Sequence, residues 1–140
     1  MTTAAAQRSW HVVVPHHALG ARAARHRLAT ELADAVPPAL LADVVAVVGE
    51  LVGNAVRHAN PLPGDVIRVA WRITDDGQVE VRVTDGGGRL RPHARPAGPK
   101  AIDGRGLHIV AALANRWGVD HDGLGQIVWA ELGAPTHSLA

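Results

Sequence analysis

The chain has 140 residues, a formal net charge of +1, 47% hydrophobic and 19% charged residues. This composition fits one folded domain with a real core and not a disordered chain. It has no cysteine, so disulfides, thiolate zinc sites and cysteine nucleophiles are excluded. It lacks the basic stripe and the stacking aromatics of nucleic-acid binders, and no run of about 18 apolar residues indicates a membrane span. We therefore expect a cytoplasmic protein that binds neither nucleic acid nor membrane.

The first part of the sequence predicts a short strand followed by two helices. Residues 1–8 are expected to form a flexible terminus, and residues 10–14 are a β-prone run typical of an edge strand. An Ala-, Leu- and Arg-rich helix is predicted over residues 18–36, where Pro37 ends it. A second helix is predicted over residues 39–59.

This second helix carries an acid, an amide and an imidazole on one stripe. Glu50, Asn54 and His58 recur every four residues, and at about 3.6 residues per turn they drift by only about 40° per step. Apolar residues with helical spacing fall on the opposite face, which a core would cover: Leu41, Val44, Val45, Val48, Val52 and Ala55. The pattern alone is also typical of a solvated polar face, so its meaning depends on residues downstream.

After the second helix the hydrophobic period changes to two. Residues 66–73 and 79–84 alternate apolar with charged side chains, and residues 75–78 supply a glycine-containing turn. This pattern predicts an antiparallel hairpin with one wet face. The charged positions of that face are interpreted as solvated surface: Arg68, Arg72, Glu80 and Arg82. A last strand is predicted over residues 126–132, after a turn at residues 122–125.

A long stretch without periodicity precedes the last helix and strand. Residues 88–103 contain most of the clustered positive charge and several Gly and Pro, which is typical of a binding loop or lid, the alternative being a disordered insertion. Residues 104–106 (Gly-Arg-Gly) then open a helix predicted over residues 107–117 and ended by Gly118. This order of elements predicts an α+β fold, with helices packed on one face of a mixed, largely antiparallel sheet.

Three separated pieces suggest one site. Asp85 lies where a strand ends and glycines begin, so bare backbone can approach a flat ligand beside a held carboxylate. Residues 104–106 lie at a helix N-terminus, which suits phosphate. Asn54 offers a neutral oxygen to a cation such as Mg²⁺, and Glu50 is placed to orient or deprotonate a hydroxyl nucleophile. Each piece is weak alone, whereas their order and context are specific.

These motifs resemble those of the GHKL ATPase superfamily, whose members share the Bergerat nucleotide-binding fold, a two-layer α/β sandwich. The chain looks most like the histidine-kinase-like ATPase domains of bacterial anti-sigma-factor serine/threonine kinases. The similarity covers about residues 10–132 and implies one domain over residues 9–133, followed by a tail over residues 134–140. It rests on Glu50-x-x-x-Asn54-Ala55-x-x-His58, on Asp85-x-Gly87 after a strand, and on Gly104-x-Gly106-Leu107 at a helix start.

The resemblance implies a role for each motif residue. Glu50 would be the general base, Asn54 would hold Mg²⁺, and Asp85 would accept from the adenine amino group, with Gly87 allowing close approach. The lid over residues 88–103 would close on ATP. The remaining implied ATP-binding residues are Gly104, Arg105, Gly106 and Leu107.

Two further residues are candidates for contacts to phosphate or the lid. Lys100 lies within the predicted lid. His58 either touches the nucleotide site or, as we favour, closes the C-terminal end of its helix as a cation.

The resemblance implies an ATP- and Mg²⁺-dependent serine/threonine protein kinase that phosphorylates a small anti-anti-sigma protein and, in another partner state, sequesters a sigma factor; a homodimer fits it as well. Arg89 stands where a glycine is common in the family, and Gln126-Ile127 stand where a Thr often helps with phosphate. These departures leave open a non-catalytic module in which nucleotide sets the shape of a partner surface. A third alternative is the ATPase fragment of a two-component sensor, for which the sequence shows no phosphoacceptor helix pair.

Overall fold

A computed structural model shows the fold and describes residues 8–88, 107–123 and 125–134. Three helices and five strands form within these ranges. In chain order they are β1 (Ser9–Pro15), α1 (Ala18–Leu32), α2 (Pro38–His58), β2 (Val66–Ile73), β3 (Val79–Asp85), α3 (His108–Leu113), β4 (Arg116–His121) and β5 (Gln126–Leu132).

The described strands form one sheet in the order β1-β2-β3-β5-β4, and all of their pairings are antiparallel. β1 lies at one edge, as predicted, and β2 and β3 form the predicted hairpin, closed by a 2.8 Å bond from the Thr74 N–H to the Gln78 carbonyl. A mixed, largely antiparallel sheet was expected, and the sheet is antiparallel throughout the described residues. β4, which was not predicted, pairs antiparallel with β5.

The helix bounds follow the sequence signals to different degrees. α2 is one residue displaced from its predicted range and carries Pro at its first turn, where a missing N–H costs nothing. α1 ends at Leu32 and not at residue 36. A turn replaces the last predicted residues, since the N–H groups of Ala35 and Val36 both donate to the Leu32 carbonyl, at 2.9 and 3.3 Å.

Residues 114–121 correct the prediction of a helix that ends at Gly118. α3 ends at Leu113 and β4 follows. The chain leaves the helix because the Asn115 N–H bonds to the Glu131 carbonyl, 2.7 Å away on β5. Gly118 then faces Trp129, and a Cβ at Gly118 would lie only 2.9 Å from the indole. Glycine at this position is therefore a strand residue that makes room for a ring, and it does not end a helix.

One face of the sheet, here called the covered face, is packed by the helices. α1 and α2 pack against each other and the strands, and α3 packs on α2. The core joins buried residues of both layers, among them Leu28, Val48, Leu51, Trp71, Val81 and Val128. This arrangement confirms the predicted α+β fold with helices on one face of the sheet.

The apolar character of α2 has a structural cause. Its length and its mean hydropathy of 1.8 would also suit a membrane span by composition alone. In the fold, however, its buried residues contact α1, α3 and the sheet. Packing inside the domain accounts for the apolar residues on the buried face of α2.

The opposite face, here called the open face, carries charged side chains. Arg72 Nε lies 2.9 Å from Glu80 Oε1, and Arg116 Nη2 lies 2.9 Å from Glu131 Oε1. The Arg116 guanidinium also lies 5.9 Å from the centre of the Trp129 ring, within the range of a cation–π contact. The predicted solvated surface around Arg72 is thus a set of paired charges.

Candidate functional site

α2 places the first predicted site residues at the border between core and solvent. Asn54 is only 1% exposed, whereas the side chain of Glu50 is 21% exposed and His58 is exposed. Solvent exposure therefore differs along the polar stripe, and the interpretation as a solvated face is wrong for Asn54. A buried amide needs hydrogen-bonding partners, so this position is specified more tightly than a surface one.

Glu50 lies beside a positive charge on its own helix. Arg57 Nη2 is 3.7 Å from Glu50 Oε2. The guanidinium lies over Gly53, where a Cβ would come within 3.1 Å of Arg57 Nη1. Since the Arg57 side chain is 56% exposed, the pair adds little stability. The Glu50 carboxylate stays partly open to solvent, with 21% of its side chain exposed.

Hydrogen bonds join the end of α2 to the glycines after β3. The Asn60 N–H donates to the Gly87 carbonyl and the Gly86 N–H donates to the Asn60 carbonyl, both at 2.8 Å. A side chain at Gly86 would collide with the chain after α2, since its Cβ would lie 2.2 Å from the Pro61 carbonyl oxygen. This short pairing brings together two motifs that are far apart in the sequence.

Asp85 ends β3 on the covered face and is 0% exposed. Its Oδ1 accepts from the Gly87 N–H at 2.7 Å, a local turn that orients the carboxylate. Gly87 has a φ of 98°, which favours glycine. No described atom lies within 4 Å of the place where its Cβ would be. Bare backbone therefore lies beside a fixed, buried carboxylate, the environment predicted for a flat ligand.

The phosphate side of the predicted site is only partly described. Leu107 directly precedes α3, is 3% exposed and packs in the core with Val110. The other predicted residues of this side lie outside the described residues, as does the predicted lid except for Gly88: Lys100, Gly104, Arg105 and Gly106. Their roles stay predictions.

A histidine that sequence reasoning missed caps α2. His16 Nε2 lies 2.9 Å from the Ala59 carbonyl oxygen and 3.2 Å from that of Ala55. As a donor it bonds the Ala59 carbonyl at the C-cap and shares the Ala55 carbonyl with the Ala59 N–H, which donates to it at 3.0 Å. His58 lies in the last turn of the same helix, and its predicted role there stays a prediction. No periodicity marks His16, because only the fold brings the loop after β1 to this helix end.

Gln126 is the second residue that sequence reasoning missed as a site residue. It is 2% exposed and lies directly opposite Asp85 in the pairing of β3 with β5. Its Nε2 is buried without a hydrogen-bond partner among the described residues. The signal was present in the sequence, because the other covered-face positions of β5 are all apolar: Val128, Ala130 and Leu132.

The geometry suits a polar, planar ligand at one end of the covered face. A buried carboxylate and a buried amide donor meet there beside glycine backbone. α2, whose end pairs with these glycines through Asn60, carries a buried amide and a carboxylate whose side chain is 21% exposed. The described residues contain no cluster of three or more His, Cys, Asp or Glu that could hold a metal. Fold and site together define a two-layer α/β domain of the nucleotide-binding class.

Comparison with known proteins assigns the family. The family model of the histidine kinase-like ATPase domain matches residues 15–132. The chain belongs to this family of ATPase domains, which confirms the resemblance of its motifs and implies ATP binding. No curated protein sequence matches the chain.

A solved structure confirms the fold independently. The chain is similar to the crystal structure of the RsbU and RsbW domains of Rv1364c from Mycobacterium tuberculosis, with a TM-score of 0.69 and 23% sequence identity. The match covers 96% of this chain and 35% of that one. This chain therefore spans about a third of the length of that protein chain.

Proposed function

We propose that the chain is an ATP-binding regulator of the anti-sigma-factor kinase type, which phosphorylates a serine or threonine of a small anti-anti-sigma protein or sequesters a sigma factor. The observation that carries the proposal is the hydrogen-bonded pairing of Asn60 with Gly86 and Gly87, which joins the α2 motif to the buried Asp85. The family supports ATP as the ligand. The motif resemblance and the RsbW domain in the similar structure support the kinase type.

The buried residues hold the nucleotide. Asp85 accepts from the adenine amino group, and Gly87 lets the base approach the backbone. Asn54 would hold Mg²⁺ through its amide oxygen, and the bound ion would neutralise charge on the phosphates. Burial of Asn54 and Asp85 fixes both side chains before the ligand arrives, which limits the entropy lost on binding.

Glu50 is the general base of the transfer. It takes the proton of the substrate hydroxyl as that oxygen forms its bond to the γ-phosphorus, while the bond from the γ-phosphorus to the bridging oxygen breaks and ADP leaves. Partial exposure of Glu50 lets a protein substrate reach it. Arg57 positions the carboxylate.

The contact with Arg57 also supports a second candidate, a nucleotide-dependent binding module without transfer. The Glu50 carboxylate lies 3.7 Å from the Arg57 guanidinium, so it can serve as the acidic half of a surface ion pair. In such a module ATP would set the shape of the partner surface, and Glu50 would have no chemical role.

An assay of the transfer of γ-labelled phosphate from ATP to candidate anti-anti-sigma proteins distinguishes the kinase from the binding module. Glu50→Gln should lower transfer by at least about 100-fold, the contribution of a general base, while ATP affinity stays near that of the wild type. Glu31→Gln is the matched control, because Glu31 also pairs with an arginine on its own helix, at 3.0 Å, and lies outside the site. Transfer that survives Glu50→Gln would overturn the role of the base. ATP binding without transfer to any partner would leave the binding module.

The metal role of Asn54 has a separate test. Thermal unfolding should show stabilisation of the wild type by ATP that increases with Mg²⁺, because ligands that bind the native state stabilise it. Asn54→Ala should remove the Mg²⁺-dependent part. An intact Mg²⁺ dependence in a folded Asn54→Ala protein would contradict the assignment.

A further inference from the structure

The covered face of β5 contains one residue that packing does not explain. Gln126 occupies a position in a row whose other members are apolar, and at 2% exposure water does not solvate its amide. A buried N–H group without a partner destabilises the folded state. A valine or leucine would avoid this loss, so the glutamine indicates a ligand that completes its hydrogen bonds.

The register of the sheet places this amide beside the carboxylate of Asp85. The two residues are direct partners in the antiparallel pair of β3 and β5, and such partners have Cβ atoms about 5 Å apart on the same face. Gly125 keeps the strands this close, because its Cβ would lie 2.0 Å from the Asp85 carbonyl oxygen. A carboxylate acceptor and an amide donor therefore stand side by side at the end of the covered face.

An acceptor next to a donor is the complement of one purine edge. On its Watson–Crick edge adenine presents the amino group, a donor, next to N1, an acceptor. Guanine presents O6, an acceptor, next to N1–H, a donor. Asp85 and the Nε2 of Gln126 match adenine at both positions and mismatch guanine at both, which leaves buried groups unpaired with guanine.

We propose that Gln126 is a specificity-determining residue, whose Nε2 donates to N1 of adenine while Asp85 accepts from the amino group. The assignment rests on the proposed function, since it takes the base to bind at Asp85. It adds a second reader of the base at a position where the resembling kinases often carry a threonine.

Calorimetric titration of the wild-type chain with nucleotides tests the contact to N1 without any mutation. ATP should bind roughly tenfold more tightly than 1-deaza-ATP, which lacks the N1 acceptor, in line with the loss of one hydrogen bond. Affinity for 7-deaza-ATP should stay within about twofold of that for ATP, because N7 makes no contact with Gln126. GTP should bind at least about 100-fold more weakly, since both buried groups are mismatched.

Gln126→Met keeps the length and shape of the side chain and removes its donor. This variant should bind ATP roughly tenfold more weakly and should no longer distinguish ATP from 1-deaza-ATP. Gln78→Met is the matched control. Among the described residues Gln78 also has a buried side-chain atom without a hydrogen-bond partner, but it lies in the turn after β2, at the other end of β3. Its nucleotide affinities should equal those of the wild type.

Several results would overturn the proposal. Equal binding of ATP and 1-deaza-ATP by the wild type would do so even if Gln126→Met failed to fold. A loss with 7-deaza-ATP alone, or ATP affinity unchanged in Gln126→Met, would also refute it while leaving ATP binding intact. Failure of the wild type to bind any nucleotide would instead refute the proposed function and the role of Gln126 with it.

Discussion

Polar residues of β3 and β5 lie near solvent on the open face of the sheet and are buried on the covered face. On the open face, Glu80 and Glu131 pair with arginines on neighbouring strands, each at 2.9 Å, and these arginines are exposed. On the covered face, Asp85 and Gln126 are buried at 0% and 2% exposure. Each lies at the end of a row of covered-face residues that is otherwise apolar.

This contrast separates polar groups that need a ligand from those that do not. A charge in water loses little free energy and gains little from pairing, so the open face requires no ligand. A buried polar group costs free energy unless it is hydrogen-bonded. The apolar part of the covered face therefore stabilises the domain, and the polar end of the same face is expected to bind.

The largest expected effect is on the apolar part of the covered face. Trp71 is 2% exposed, and Trp71→Ala should lower the free energy of unfolding by about 3–5 kcal/mol. The control is Trp129→Ala on the open face, where the indole is half-buried and the loss should be below about 1.5 kcal/mol. Urea denaturation measures both. An equal loss for the two variants would erase the difference between the faces.

A substitution at the polar end of the covered face should weaken ATP binding and change the free energy of unfolding little. Asp85→Asn should weaken ATP binding by roughly 10- to 100-fold, the value of a hydrogen bond to a charged group. It should change the free energy of unfolding without ATP by less than about 1 kcal/mol, because the amide oxygen can still accept from Gly87. Calorimetry with Glu131→Gln as the open-face control should give unchanged affinity. A large loss of stability with normal ATP binding would assign Asp85 to the core.

The close approach of Gly125 to Asp85 should affect both the stability of the domain and its affinity for ATP. A Cβ at Gly125 would lie 2.0 Å from the Asp85 carbonyl oxygen, so Gly125→Ala must separate the strands. We expect a loss of about 1–3 kcal/mol in the free energy of unfolding together with weaker ATP binding. Gly49→Ala is the control, since its nearest neighbour is the flexible Arg25 side chain and a helical alanine gains up to about 1 kcal/mol. Wild-type ATP affinity in Gly125→Ala would show that the register does not matter for binding.

The smallest effect should come from the open face. Replacing Arg72 by Ala removes its pair with Glu80, in which the arginine side chain is 51% exposed. The coupling energy from a double-mutant cycle of Arg72→Ala and Glu80→Ala should be below about 1 kcal/mol and should fall with added salt. A coupling of several kcal/mol would mean that this face is shielded from water in solution.

Local patterns predicted most of the elements. The bounds of β2 and β5 agree with the alternation of their residues, and α2 agrees to within one residue. β4 was missed because residues 116 and 117 were assigned to the preceding helix and Gly118 is typical of a helix end. Only pairing with β5 decides the state of this stretch. Helix and strand propensities differ too little to resolve such a stretch when tertiary contacts compete.

The candidate site was also predicted in part from local patterns and decided in part by tertiary contacts. Glu50, Asn54 and Asp85 were named from residue type and position, and Gly87 from the resemblance to the family. The pairing of the α2 end with the glycines after β3 depends on contacts between segments distant in the chain. Gln126 was noticed only as a departure from the family pattern. Its meaning required the strand register.

The sequence by itself determined the period of each main element, the family and the residue types of the nucleotide motifs, because these follow from neighbours a few positions apart. Tertiary structure alone decided that β4 closes the sheet, that His16 caps α2, and that Gln126 lies beside Asp85. Each of these depends on backbone pairing or packing between remote segments, which no local pattern encodes.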